Sequence, residues 1–483
     1  MLSVTVMSSE GLAYIAATAV LSVVYFSAHS FKPSCFDDCY GYTGLMGMSV
    51  FSPDYWIWVR KMFRGFAVPV IYSAFGAQDP YSEAAIVYFQ AVTALAAWFF
   101  FALAISSFVT GRWRRFLVFI LIASGMFSRG YLRFDDRLLS DSLALSLVLG
   151  WFALIVKPVP VMAYLVSRCG KVALPVFLAI TCVMTAFVIS ARDTNAFLVV
   201  FCIPLAFVQL RRVSEPRFGA GPTRVAALTS AMMAAIVVLH LSSAAKRNTA
   251  NMANIIVGMV IGDSSRTAFF VSHGMPLSLA TLERPQSLRD AAGLRAITDN
   301  RALVLGALAS TRNVARARAG TFIRSQARLV YATYLVTHPG YVIQNLRESW
   351  YVMFDQWYGA RPQPGGVRSA FEVSKRLSAF DLIDIRTFVL LSALCLAVLC
   401  VLNPAAWRDP LLQIGATLAL AGVSNAIIGF HGDLWELSEM ARHGWLGSTF
   451  LRLGAGIVLL RLPLYIYEQY ETRRHSTISV GRV

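Results

Sequence analysis

The chain has 483 residues, 43 Lys and Arg against 26 Asp and Glu for a formal charge of +17, only 14% charged residues and 57% hydrophobic ones. A water-soluble domain carries about 25% charged residues, so the composition excludes an ordinary soluble enzyme, and equally excludes disordered, collagenous and disulfide-scaffold chains. Repeated apolar runs near 20 residues place it among multi-span membrane proteins. The basic balance does not point to nucleic acid. The excess Arg falls in short loops and one long one, where membrane topology and anionic headgroups account for it, and no zinc-finger, ribonucleoprotein or helix-turn-helix pattern is present.

Apolar runs punctuated by charge or by Pro and Gly predict ten spans, centred on 11–28, 84–109, 116–128, 138–156, 172–190, 196–210, 223–242, 386–403, 410–430 and 446–467. The third and sixth are short. Residues 1–10 contain no Lys or Arg, and no small-residue cleavage site follows, so the first run reads as an uncleaved span. If both termini are cytoplasmic, Arg112, Arg114, Arg115, Lys157, Arg168, Lys171, Arg211, Arg212, Arg217, Arg224, Arg473 and Arg474 share the cytoplasmic side. The acids Asp37, Asp38, Asp54, Asp79, Asp135, Asp136, Asp193, Asp433, Glu436 and Glu439 then lie outside.

Two outer segments are too long for turns. Residues 29–83 hold Trp56, Trp58, Phe63, Phe66 and Tyr72 interleaved with Arg60, Lys61 and Arg64, a mixture that suggests helices lying in the headgroup plane. Residues 246–385 mix polar and apolar positions and read as a small, mostly helical extracytoplasmic domain. The expected organisation is therefore an N-terminal transmembrane module at 1–245, that domain, and a C-terminal transmembrane module with a short tail at 386–483. Five of the seven Cys (Cys169, Cys182, Cys202, Cys395, Cys400) fall in or beside apolar runs. Cys35 and Cys39 stand apart and could pair only in an oxidising compartment.

Four clusters carry candidate chemistry. The first is CFDDCYGY at 35–42, where Asp37 and Asp38 adjoin Tyr40 and Tyr42. Neighbouring carboxylates raise each other's proton affinity and can supply a general base; a solvated turn has the same composition. The second is SRGYLRFDDRLLSDS at 128–142, where Arg129, Arg133 and Arg137 alternate with Asp135, Asp136 and Asp141. It reads as a self-neutralising loop or as a ligand site, and Asp141, at the start of an apolar helix, is expected to face a polar cavity. The third is ARDTNAF at 191–197. There Arg192 could bind phosphate, but the favoured reading has Asp193 or Thr194 capping the next helix while Arg192 snorkels. The fourth, FHGDLWELSEMARHGW at 430–445, gathers Asp433, Glu436, Glu439, Arg442 and His443, with Arg442 and His443 a phosphate clamp or part of an amphipathic connection. His338 before Pro339 reads as structural. No paired-histidine zinc motif, phosphate-binding P-loop, dinucleotide fingerprint or nucleophile elbow occurs, and no internal repeat is visible.

The order of these features resembles the GT-C superfamily of polyprenyl-phosphate-dependent membrane glycosyltransferases: an uncleaved first span, an outer loop opening on FDDCYGY, surface helices after it, later outer clusters of acids and Arg, and an outer domain. The resemblance is architectural over the whole chain, and its one motif is the short acidic pair. It implies an all-α polytopic fold of about ten transmembrane helices, a polyprenyl-phosphate-linked sugar donor, and a glycan, lipid or protein acceptor outside the cytoplasm. Asp37 or Asp38 would be the base. Arg129, Arg133, Arg192, Arg442 and His443 would meet the donor phosphate, with Tyr40, Tyr42, Asp135, Asp136, Asp141, Glu436 and Glu439 lining the cavity. No metal site or cofactor is firmly implied; a divalent cation on Asp135, Asp136 or Asp141 would suit a diphosphate donor. The competing readings are an O-antigen polymerase or ligase, needing Arg in 284–347, and a transporter or flippase, needing charge at mid-membrane, whereas Arg452 and Arg461 in the last apolar run lie where they can snorkel. The Ala- and Arg-rich composition fits the inner membrane of a bacterium with a GC-rich genome.

Overall fold

The computed structural model describes residues 9–29, 31, 33, 40–61, 65–76, 79–128, 138, 140–212, 221–244, 252–253, 255–261, 263–276, 314–354, 384–432 and 437–480. Among these the chain is all helical: α1 (Ser9–Ala28), α2 (Tyr40–Thr43), α3 (Pro53–Lys61), α4 (Ala67–Ser73), α5 (Pro80–Ser106), α6 (Arg112–Ala123), α7 (Ser140–Val156), α8 (Pro158–Cys169), α9 (Ala173–Ala191), α10 (Asn195–Arg211) and α11 (Pro222–Ala244) come first. They are followed by α12 (Ser264–Ser272), α13 (Val314–Ser325), α14 (Ala327–Thr337), α15 (Pro339–Phe354), α16 (Ile385–Leu402), α17 (Pro410–Gly432) and α18 (Leu437–Val480). Among the described residues seven helices are long and apolar enough to cross a membrane: α1, α5, α9, α11, α16, α17 and α18. The chain is an all-α multi-pass membrane protein. The other three apolar runs are also helical but shorter, as α6, α7 and α10.

Two compact units are distinguished. Unit 1 comprises Met1–Val238, Pro362–Gly422 and Thr449–Val483, and unit 2 comprises Leu239–Arg361 and Val423–Ser448. In unit 1, α5 packs on α6 and α7, and α9 on α7, α8 and α10. In lipid, apolar side chains gain little by leaving the solvent, so close packing and hydrogen bonds hold such helices together. Phe101 of α5 meets Phe152 of α7 with ring centroids 6.0 Å apart, and the Trp151 indole N–H donates to Thr185 Oγ1 of α9 at 2.9 Å. Where α17 crosses α18, a Cβ on Gly415 would come 2.9 Å from the Gly454 carbonyl oxygen, and one on Gly454 would collide with Ala419 N. Only glycine permits that approach.

Helix starts are set by carboxylates. Asp79 accepts the backbone N–H groups of Tyr81 and Ser82 at 2.9 and 3.0 Å ahead of Pro80 at the first helical position, and Asp384 caps α16 through Arg386 and Thr387. Asp409 caps α17 through Leu411 at 2.8 Å while pairing with Arg461 of α18 at 2.7 Å. These caps satisfy amide groups that the first turn leaves without partners.

One end of unit 1 is knit by ion pairs. Arg115 meets Glu10 at 3.6 Å, Arg114 meets Glu471 at 3.5 Å, and Arg112 bonds Ser9 Oγ, so the start of α1, the start of α6 and the C-terminal stretch of α18 come together. Arg461 also pairs with Glu468 at 2.9 Å. The expected snorkelling of Arg452 and Arg461 is thus corrected: Arg461 is held between two carboxylates and Arg452 is buried. A second correction concerns α4, expected among headgroup-plane helices. Ala67, Val68, Pro69 and Tyr72 are buried, because α4 packs against α9.

Candidate functional site

A group of buried polar residues of unit 1 gathers where α2, α4, α5, α7 and α9 meet. Tyr42, the last residue of the 35–42 segment, and Thr43 after it are buried in α2. Tyr42 packs edge-on to Tyr72 of α4, with centroids 6.0 Å apart. The Tyr72 hydroxyl donates to Gln90 Oε1 of α5 at 3.1 Å, both side chains being fully buried. Burial holds the Tyr72 phenol well above its ordinary proton affinity, and the nearby charges of Tyr42 and Asp141 push in the same direction. Around this polar centre sit Met46, Ala67, Val68, Ile86, Val87, Leu138, Leu143 and Ala144, an apolar wall that keeps the local dielectric low.

Asp141, in the first turn of α7, is fully buried and forms an ion pair with Arg192, the residue that ends α9. The chain is positioned for this by a close approach: a Cβ on Gly65 would collide with the Ser190 carbonyl, so the segment leading into α4 runs directly against the end of α9. Arg192 is in an extended backbone conformation, with φ −149° and ψ 132°. The reverse turn that follows is tied by Asn195 N donating to the Arg192 carbonyl at 2.9 Å and by Asn195 Nδ2 donating to the Val188 carbonyl at 2.8 Å. The favoured sequence reading of ARDTNAF is therefore corrected. Thr194 makes no side-chain cap to α10, and Arg192 turns inward because Asp141 offers it a charge partner at the same level. Asp141 likewise faces a guanidinium rather than an open polar cavity.

Two further polar atoms point into buried space. Ser128 Oγ and Asn195 Oδ1 are buried with no hydrogen-bond partner among the described residues. Each is a group with hydrogen-bonding capacity to spare, at the ends of the segments that carry the second and third sequence clusters.

Of the other sequence candidates, Asp37, Asp38, Arg129, Arg133, Asp135, Asp136 and Glu436 lie outside the described residues. Tyr40 falls in α2, and Glu439, Arg442 and His443 in the first two turns of α18, as helical backbone only. Tyr72, Gln90 and Asn195 were missed. Gln90 had a usable signal, a single amide inside an otherwise apolar span; Tyr72 was read as a headgroup aromatic, and nothing local marked Asn195.

Unit 2 has its own polar cluster. Asp263 caps α12 through the Arg266 N–H at 2.9 Å and accepts from Ser265 at 2.6 Å, and these bonds hold its carboxyl down at about 2. Arg266 donates to the Tyr341 hydroxyl at 2.9 Å. The Tyr331 hydroxyl lies 3.1 Å from Met259 Sδ and 3.2 Å from His431 Nδ1, and its single proton serves one of them. Desolvation lowers the His431 imidazole to about 4. Met259 belongs to a π-helical turn, Ile256–Val260, a rare geometry that recurs near functional sites. His338 ends α14, stacked on Tyr334 at 4.2 Å with Nδ1 3.1 Å from the Tyr334 carbonyl, which is a structural arrangement. Among the described residues no group of three or more His, Cys, Asp or Glu could hold a metal ion.

No protein-family model, curated protein or solved structure matches the chain.

Proposed function

We propose that the chain is an integral membrane glycosyltransferase that moves a sugar from a polyprenyl-phosphate-linked donor to an acceptor hydroxyl on the extracytoplasmic face. The observation that carries this reading is the buried Asp141–Arg192 pair with Tyr42, Tyr72 and Gln90 beside it. Ionisable residues inside a membrane protein are costly and mark functional sites by default. Here they occupy helix ends, which suits chemistry at headgroup level better than a transport path through mid-membrane.

The reaction needs two things from the protein. A base must take the proton of the acceptor hydroxyl while its oxygen attacks the anomeric carbon, and as the bond from that carbon to the phosphate oxygen breaks its electron pair leaves on the polyprenyl phosphate, whose charge cationic hydrogen-bond donors must stabilise. Asp37 or Asp38, three and two residues ahead of α2 in the sequence, supplies the base. Arg129, Arg133 and Arg192, with Arg442 and His443, supply the positive charge. In this reading Asp141 is a positioning residue: it holds the Arg192 guanidinium in place, so little reorganisation is left for the moment of transfer. Attack in line with the leaving phosphate inverts the anomeric centre.

The test is the envelope glycan profile, by mass spectrometry, of a deletion strain complemented with wild type, Asp37→Asn or Asp38→Asn at equal membrane levels. The expected result is loss of one sugar or linkage in the deletion, restored by wild type and not by one of the two variants. Full restoration by both variants would remove the base assignment. A requirement for Arg residues within 284–347 in its place would favour the polymerase or ligase reading.

A further inference from the structure

Helix α14 is apolar on two opposed faces, and only one of them is covered. Ala327, Val330, Tyr331 and Tyr334, at i, i+3, i+4 and i+7, are buried within unit 2. Leu329, Ala332 and Val336 repeat at i, i+3 and i+7 on the other side and face outward, Leu329 at 74% and Val336 at 79% exposure. Past Pro339, Ile343 of α15 is exposed at 64%. A helix hydrophobic all round is normally enclosed, so this second face calls for an occupant.

The charge around it says which. Arg318, Arg324 and Arg347 are exposed and Arg328 is half-buried. The one acid in residues 314–354 is Glu348, which accepts from Gln344 at 2.8 Å. An apolar stripe within a stretch holding five arginines and one acid, on a chain whose own spans keep it at a membrane, matches the surface of an anionic leaflet: acyl chains take Leu329, Val336 and Ile343, and headgroup phosphates meet the basic stretch. Tyr341, half-buried at the start of α15 with its hydroxyl bonded to Arg266, adds an aromatic of the kind that favours the headgroup layer. We infer that α14 and the start of α15 form an interfacial platform, seated on anionic lipid by the outward face of α14. This is independent of the proposed transfer reaction and adds a lipid-binding surface to unit 2.

Nitroxide accessibility of the full-length protein in nanodiscs tests it. Val336→Cys and Leu329→Cys are labelled in a background whose seven native cysteines are replaced, with Gln344→Cys on α15 as an aqueous reference. In nanodiscs of about one-third phosphatidylglycerol, labels at 336 and 329 should be several-fold more accessible to oxygen, relative to a water-soluble nickel chelate, than the label at 344. That ratio should fall at least about twofold in pure phosphatidylcholine, or when Arg324 and Arg328 are both replaced by Gln. Water-like accessibility at 336 and 329 in the anionic nanodiscs would overturn the inference. So would labels shielded from both relaxants, which would mean that protein covers the face, and spin–spin broadening would then identify a second copy. Equal ratios in the two lipids would overturn the anionic assignment. Since both labelled positions face outward, the labels disturb no core contact, and retained α14 helicity by circular dichroism difference serves as the folding control.

Discussion

The Asp141–Arg192 pair constrains the rest of the unit 1 cluster, because neither charge can stand alone at that depth. Removing one member of a buried pair costs about 3–5 kcal/mol, since a charge is left desolvated, while replacing both with apolar groups of similar size is often neutral. Asp141→Leu and Arg192→Met should therefore each lower the thermal midpoint sharply in detergent. The Asp141→Leu, Arg192→Met double variant should return to within about 1 kcal/mol of wild type, giving a large coupling term in a double-mutant cycle. If the pair serves only folding, the double variant will restore the glycan profile as well as stability. If Arg192 serves the donor phosphate, the double variant will be stable and inactive, and that contrast separates scaffold from chemistry.

Individual helices show how local rules add up. Asp79, Asp263, Asp384 and Asp409 each accept backbone N–H groups at a helix start, and each precedes its helix in the sequence where a capping signal would be sought. For Asp263, replacement by Ala should cost about 1 kcal/mol locally and raise amide exchange across Ser264–Ser272 about fivefold. Because its folded carboxyl sits at about 2, below the ordinary value, the contribution is full above about pH 4 and is lost as pH falls toward 2. In Asp263→Asn the exchange of α12 should be flat over that range. The α17–α18 crossing makes the complementary point about space. Gly454→Ala inserts a methyl against Ala419 N and the Gly415 carbonyl, which are backbone atoms with nowhere to retreat, and should destabilise by about 1–3 kcal/mol in a thermal melt; Gly76→Ala, where a Cβ would meet Ser82 Oγ at an ordinary 3.7 Å but at φ +83°, should cost only the smaller backbone penalty.

What was legible in the sequence divides along the same physical line. The ten apolar runs are all helical, because hydropathy and period are written locally, residue by residue. The burial of α4 was not legible. Its Phe66, Val68, Ile71 and Tyr72 look the same whether they meet headgroups or the flank of α9, and only the glycine contact at Ser190 decides it. Likewise ARDTNAF offered Arg192 solvent, lipid or phosphate as partners, and the carboxylate it found lies 51 positions away in the chain.

At the scale of the whole molecule, the two units differ in how they hold polar groups, and so in how they should respond to acid. The described ion pairs of unit 1 keep charge balanced through carboxylates with close cationic partners. Unit 2 instead buries a neutral imidazole. His431, just past the apolar stretch Pro410–Gly429, has Tyr331 against Nδ1 and the Tyr341 ring 6.0 Å away, and burial sets its folded value at about 4 against 6.5 when unfolded. A depressed imidazole binds its proton more readily in the unfolded state. Its folded form is therefore fully favoured above about pH 6.5 and loses ground steadily down to about pH 4, by roughly 3 kcal/mol at most. Hydrogen exchange followed by mass spectrometry, corrected for intrinsic rates, should accordingly show opening of residues 314–354 between pH 6.5 and 4.5 while α5, α7 and α9 stay protected. His431→Phe removes the titrating group and keeps the ring volume, so it should abolish that pH dependence. If the wild-type and His431→Phe proteins open alike over the range, acid acts on unit 2 through another group, and the buried imidazole is a packing element alone.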